Sequence, residues 1–248
     1  RTDDMVRWLS LELGKPLDQS KGEVGMAIEQ FEWYAEEAKR IYGHVLESRQ
    51  PHGKVLIQHE PLGVVAAFTS WNFPVVLAAR KIAPALAAGC SVILHPAEEA
   101  PGSAMLLVQC LHEAGVPAGV INLINGSADT ISPVLLNESR VRKISLTGSA
   151  RVGKLLIKAS AETLKRTSME LGGHAPVIIY ADADAEAIAE QAALVKFKHC
   201  GQVCASPSRY FIHESQAEAF TNKFIEIAQN FKLGNGMESG IDIGPLAT

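Results

Sequence analysis

The stretch "CGQVCASPSR", Cys200 to Arg209, places two thiols four residues apart on a Gly-Gln turn between a helical and a strand pattern. Four chemistries compete for those sulfurs: a metal clip, a redox pair, inert core thiols, or one nucleophile with a bystander. A clip built from His199, Cys200 and Cys204 stops at three ligands, with no second Cys-His pair downstream, so no metal is expected. Glu170 stands between Met169 and Leu171, ahead of Gly172-Gly173. A carboxylate in apolar company is a candidate general base, because burial raises its pKa toward neutrality. In "SWNFP", Asn72 offers an amide donor suited to an oxyanion, or to capping a turn. Lys81, nine residues on, falls on a helix, where a solvated basic residue is the plainer reading.

Two further clusters point to a phosphate-bearing ligand. "TGSARVG" sets Gly148 and Gly153 about a strand-to-helix turn whose first N–H groups could face a phosphate, although Ser149 there is equally an ordinary helix cap. "LHPAEE" offers Glu98, either an acceptor for ribose hydroxyls or a solvated carboxylate.

The elements that must position these residues alternate along the chain. Residues 3–13 and 23–42 have helical periodicity, with Val24, Ile28, Phe31, Ala35 and Ala38 on one face. "GKVLIQHEPLG" alternates about Val55 and Ile57 as a half-exposed strand would, and such a strand could pair with a neighbouring subunit. Short apolar runs near 64–69, 91–94, 120–124, 143–147 and 176–180 predict strands. Helices are predicted near 75–87, 102–114, 128–137, 150–160 and 184–198. This alternation implies right-handed crossovers and a parallel α/β sheet, with ligands outside the carboxyl ends of its strands.

Bulk properties narrow the function classes. A net charge of −4 with scattered Lys and Arg argues against a nucleic-acid partner. The longest apolar runs, 62–69 and 75–79, are far too short to span a membrane. Four cysteines in 248 residues do not make a disulfide framework, which predicts a reducing, cytoplasmic location, with Cys90 and Cys110 in the core. A chain opening at Arg1 without Met and closing just after Gly-Pro is expected to be cut from a larger protein.

Taken together, "SWNFP", "ALAAGCSVILHPAEEAP", "LTGSARVG", "MELGGHAP" and "GQVCA" resemble the aldehyde dehydrogenase superfamily. "GEVGMAIEQFEWYAEEAKRIYG" resembles its succinate-semialdehyde branch. The resemblance implies a Rossmann-like cofactor domain from residues 1–43 and 62–172, an oligomerisation hairpin at 44–61, and the truncated start of a second α/β, catalytic domain at 173–248. It implies Cys204 as nucleophile, Asn72 as oxyanion donor, Glu170 as the base that activates water, and Lys81 supporting them. Ser70, Trp71, His95, Glu98, Gly148, Ser149 and Leu171 would face the cofactor, NAD with NADP as the alternative. Gly148 and Ser149 would lie by its pyrophosphate and Glu98 by its adenosine ribose. The partners implied are a small aldehyde, such as a semialdehyde, and further copies in a homodimer or homotetramer. His95 and His199 depart from the family's usual Lys and Asn, Leu146 from a frequent Phe, and Lys198 from the substrate-gripping Arg typical of the succinate-semialdehyde branch. A catalytically silent NAD-binding member of the fold and a Cys/His metal or redox site remain as rivals to the enzyme.

Overall fold

The computed structural model describes residues 1–247. Helices α1 (Thr2–Leu13) and α2 (Leu17–Glu37) precede a hairpin of β1 (His44–Glu47) and β2 (Lys54–Ile57). Then follow β3 (Val64–Phe68), α3 (Pro74–Ala87), β4 (Ser91–His95), α4 (Pro101–Glu113), β5 (Ile121–Leu123), α5 (Ala128–Asn137), β6 (Val141–Gly148), α6 (Ala150–Ser160) and β7 (Arg166–Leu171). The chain closes with β8 (Val177–Ile179), α7 (Ala185–Phe197), β9 (Tyr210–Ile212) and α8 (Ala217–Asn230).

Strands β3 to β7 form one parallel sheet in the order β5-β4-β3-β6-β7. The side-chain period of two splits the centre strand between two cores: Val65 and Ala67 pack with α1 to α4, whereas Ala66 and Phe68 pack with Ile131, Leu135 and Leu156 of α5 and α6. From β3 the chain winds outward through β4 and β5, then returns to β6 on the other side of β3. That reversal opens a crevice between the carboxyl ends of β3 and β6, the place where open parallel sheets hold ligands. A separate parallel pair, β8 with β9, packs against α7 and α8 through Ile179, Ala185, Ala189 and Phe220.

Several expectations need correction. The second helix starts at Leu17 and ends at Glu37, not at 23 and 42, because Pro16 begins it and its buried face runs through Ser20, Glu23, Val24 and Ala27. Ile28, expected inside, is exposed. The hairpin strand expected to be half-exposed is exposed on both faces, as is its partner, with Val45 opposite Leu56 and Lys54 paired to Glu47. The fifth strand of the main sheet is β7, which the apolar-run reading overlooked: an edge strand reading RTSMEL needs only one apolar neighbour and carries no hydrophobic run. The run near 176–180 leaves that sheet and pairs with β9.

Candidate active site

Three loops meet at the crevice. The first leaves β3 and enters α3, whose Pro74 at the first helical position has no N–H to lose. Phe73 cannot cap the orphan donors of that helix, and the cap comes from another element: Glu23 of α2 accepts from Val75 N (2.9 Å) and Val76 N (3.3 Å). Glu23 is also ion-paired with Lys15, both side chains fully buried. Lys15 Nζ donates to the Asn72 carbonyl (2.9 Å) and stands 3.9 Å from the centre of the Phe73 ring. Burial pushes the Lys15 ammonium down and the Glu23 carboxyl up, each opposed by the partner's charge. The side chain of Asn72 accepts from Ser70 Oγ (2.7 Å) and donates from Nδ2 to the Gln202 carbonyl (2.9 Å). One of the two Nδ2 protons remains for a ligand.

The second loop follows α7 and carries the cysteines. His199 (φ 49°), Cys200 (φ 57°) and Gly201 (φ 73°) are consecutive left-handed residues. Glycine takes that conformation freely, whereas the two others carry strain of order 1–3 kcal/mol each. The turn is closed by Gln202, whose N (2.9 Å) and Nε2 (3.1 Å) both donate to the His199 carbonyl, and by Gln19 Oε1, which accepts from His199 N (2.8 Å). The His199 ring is buried, edge-on to Trp71 and Phe73, and its Nε2 has no hydrogen-bond partner. Burial, and then the Lys15 charge, push its pKa down to about 3, so the ring is neutral. Cys200 Sγ donates to the Gly244 carbonyl (3.1 Å), and burial raises its pKa. Cys204 is exposed at the following turn.

The third element is the β6–α6 turn beside the end of β7. Ser149 caps α6 by accepting from Val152 N (3.2 Å), so its hydroxyl is engaged as a cap. The N–H groups of the first turn lack acceptors within the helix, as in any helix. A Cβ on Gly153 would meet the Leu171 side chain at 2.9 Å, so α6 lies close over β7. Glu170, paired in register with Thr147, is exposed. The apolar enclosure expected around it is not formed by the described residues.

A cleft of about 430 Å³ gathers Ser70, Trp71, Asn72, Gly148, Ser149, Glu170 and Cys204 from these three places. Sequence reasoning named all seven. It gave no role to Thr147, Gly172 and Gln202, which also line the cleft, although each lies within a quoted motif. Lys81 lies buried apart from the lining, donating to Ser145 Oγ (3.2 Å); burial lowers its pKa to about 8, opposed by Glu170. The solvated reading of Lys81 is thereby corrected. His95 also lies outside the lining, its ring against Phe68 and its Nε2 donating to the Gly126 carbonyl (2.9 Å). Glu98 accepts from Ala128 N (3.2 Å) at the start of α5, away from the cleft. Leu171 packs on α6. His199, Cys200 and Cys204 do not converge, because the Cys200 thiol turns to the Gly244 carbonyl. Among the described residues no group of three metal-ligating side chains forms, and no helix is long and apolar enough to cross a membrane.

The chain resembles known proteins over nearly its whole length. Residues 1–248 match the model of the aldehyde dehydrogenase family. A 3-sulfolactaldehyde dehydrogenase of Pseudomonas putida is 46% identical over 98% of the chain and 50% of its own length. A succinate-semialdehyde dehydrogenase [NADP(+)] of Escherichia coli is 41% identical over 98% of the chain and 51% of its own. The crystal structure of succinate-semialdehyde dehydrogenase from Burkholderia pseudomallei superposes with a TM-score of 0.97 at 42% identity, covering 99% of this chain and 51% of that one. The chain thus spans about half the length of the curated relatives it matches.

Two outcomes follow from the cysteine loop. Limiting iodoacetamide should label Cys204 several-fold faster than Cys200, whose thiol is hydrogen-bonded and whose ionisation is suppressed, as read by peptide mass. Faster labelling of Cys200 would contradict this. The depressed pKa of His199 means the unfolded chain binds the extra proton first, so stability is full above about pH 6.5 and falls as pH drops toward 3. At pH 5 this one group should cost about 2 kcal/mol, and His199→Gln should flatten the decline of Tm between pH 7 and 5. An unchanged slope in that variant would remove His199 as its source.

Proposed function

The chain belongs to the aldehyde dehydrogenase family, and from that premise we propose that its cleft oxidises an aldehyde to a carboxylic acid with NAD or NADP. The observation that carries the reading is the convergence of Cys204, Asn72 and Glu170, from three separate stretches, on one cleft floored by Gly148 and Ser149. Gly148 and Ser149 present backbone and one small side chain there, and the first N–H groups of α6 are of the kind that hold a phosphate. These residues fit a dinucleotide and would hold its phosphates. When bound, the nicotinamide supplies the hydride acceptor that no side chain provides.

The chain's own residues do the rest. Cys204 attacks the carbonyl carbon as the thiolate, the nucleophilic form of the group. The former carbonyl oxygen then carries charge, which the free Asn72 Nδ2 proton and the Cys204 backbone N–H stabilise by about 3 kcal/mol per donor. After oxidation a thioester remains on Cys204. Glu170 takes a proton from water as that water attacks the thioester carbon, and the acid leaves as the thiol is restored.

The aldehydes in the relatives' names carry a sulfonate or a carboxylate, which supports an aldehyde with an anionic far end. Lys198, exposed beside the nucleophile loop, offers that anion a point charge in place of a bidentate fork. The reading assigns residues 1–43 and 62–172 to the cofactor domain and 173–248 to the catalytic one. The fully exposed hairpin, with Val45, Leu46 and Leu56 in water, serves as a contact between copies. Four free cysteines suit a reducing cytoplasm.

With NAD or NADP and succinate semialdehyde, Glu170→Gln should give a burst of reduced dinucleotide approaching one per site, then a steady rate at least about a hundredfold below wild type. Acyl-enzyme should accumulate on Cys204. A variant with neither burst nor adduct would place Glu170 before oxidation, and normal turnover would remove it from the reaction.

A further inference from the structure

We propose that Lys15, Gln19 and Glu23 are positioning residues, a polar stripe on α2 and its approach that holds the Asn72 loop and the Cys204 loop in register. The proposal rests on the reading of Asn72 and Cys204 given above, and names residues that this reading does not use. None of the three lines the cleft. Gln19 and Glu23, four apart, share one face of α2, and Lys15 in the turn before it is held to that face by its ion pair with Glu23. Each grips the backbone of a neighbouring element. Lys15 donates to the Asn72 carbonyl, Glu23 accepts from Val75 N and Val76 N, and Gln19 accepts from His199 N.

The bonds close into a ring. Asn72 Nδ2 donates to the Gln202 carbonyl, Gln202 N donates to the His199 carbonyl, and His199 N returns to α2 through Gln19. The buried His199 ring fills the middle, against Trp71 and Phe73 of the opposite loop. This explains how two non-glycine residues stay left-handed ahead of the nucleophile: such conformations persist only where the surroundings over-determine them. It also fixes the oxyanion donor relative to the thiol, where a misplacement of about 1 Å can cost on the order of a hundredfold in rate.

Gln19 gives the sharpest test, because its removal leaves the buried ion pair intact. Gln19→Ala loses the acceptor for His199 N and the donor to the Asp242 carbonyl, whereas Gln19→Glu keeps the first alone. In the full chain, with dinucleotide and succinate semialdehyde, Gln19→Ala should lower kcat at least about tenfold while leaving both KM values within about threefold, and Gln19→Glu should restore most of kcat. Equal loss in both variants, or none in either, would overturn the clamp. Asn72→Ala run alongside separates the two ideas. If it is inactive and Gln19→Ala turns over at the wild-type rate, the clamp alone falls; if it keeps full activity, the oxyanion role falls, and amide exchange decides the clamp. Exchange decides also if no turnover is seen. Gln19→Ala should then speed exchange at least about fivefold in both 70–77 and 197–204, and Gln19→Glu in neither. Faster exchange confined to α2 would overturn it.

Discussion

A charge pair removed from water sets the terms for the rest of this structure. Taking an ammonium and a carboxylate into the interior costs several kcal/mol per ion, and their attraction offsets this only when every remaining donor and acceptor is also met. Lys15 and Glu23 meet that condition by reaching outside their own helix pair, to the carbonyl of Asn72 and to the first N–H groups of α3. The Phe73 ring adds a cation–π contact worth roughly 0.5–2 kcal/mol. The loop after β3 thereby has one conformation in which the pair is satisfied, and that conformation presents the Asn72 side chain to the cleft. Removing either ion would leave the other stranded, so the pair links folding of the first two helices to the geometry of the site.

The sheet supplies the crevice and the pair supplies the register. The strand order reverses at β3, which leaves a gap between the β3 and β6 carboxyl ends. Glycine at the β6–α6 turn keeps that gap free of bulky side chains, and the cysteine loop closes it from the side of β8 and β9. The strained turn at His199 and Cys200 turns one thiol toward the Gly244 carbonyl and leaves the other in the cleft. Two cysteines of the same type are thus given different chemistry by backbone conformation and burial.

Much of this was legible in the sequence, where periodicity and turn residues carry the signal. Helices α3 to α7 fall within one residue of their expected bounds because apolar spacing and Pro or Gly punctuation mark them. Strand β7 was not legible, since a polar edge strand carries no hydrophobic run. The stripe of Lys15, Gln19 and Glu23 escaped notice for the opposite reason: polar residues spaced by four look like a solvated face, and only tertiary contact shows that Lys15 and Glu23 are buried. His95 and Glu98 illustrate a third limit. Their motifs are recognisable, yet their side chains are engaged by Gly126 and Ala128 rather than gathered into the cleft.

The most direct test of the account is a crystal structure of the adduct that an aldehyde forms on this protein. The account predicts a covalent bond to Cys204, with the former carbonyl oxygen about 2.7–3.1 Å from Asn72 Nδ2 and the Asn72 carbonyl still held by Lys15. An adduct on Cys200, or an oxygen turned to solvent with Asn72 still bonded only to Gln202, would contradict it.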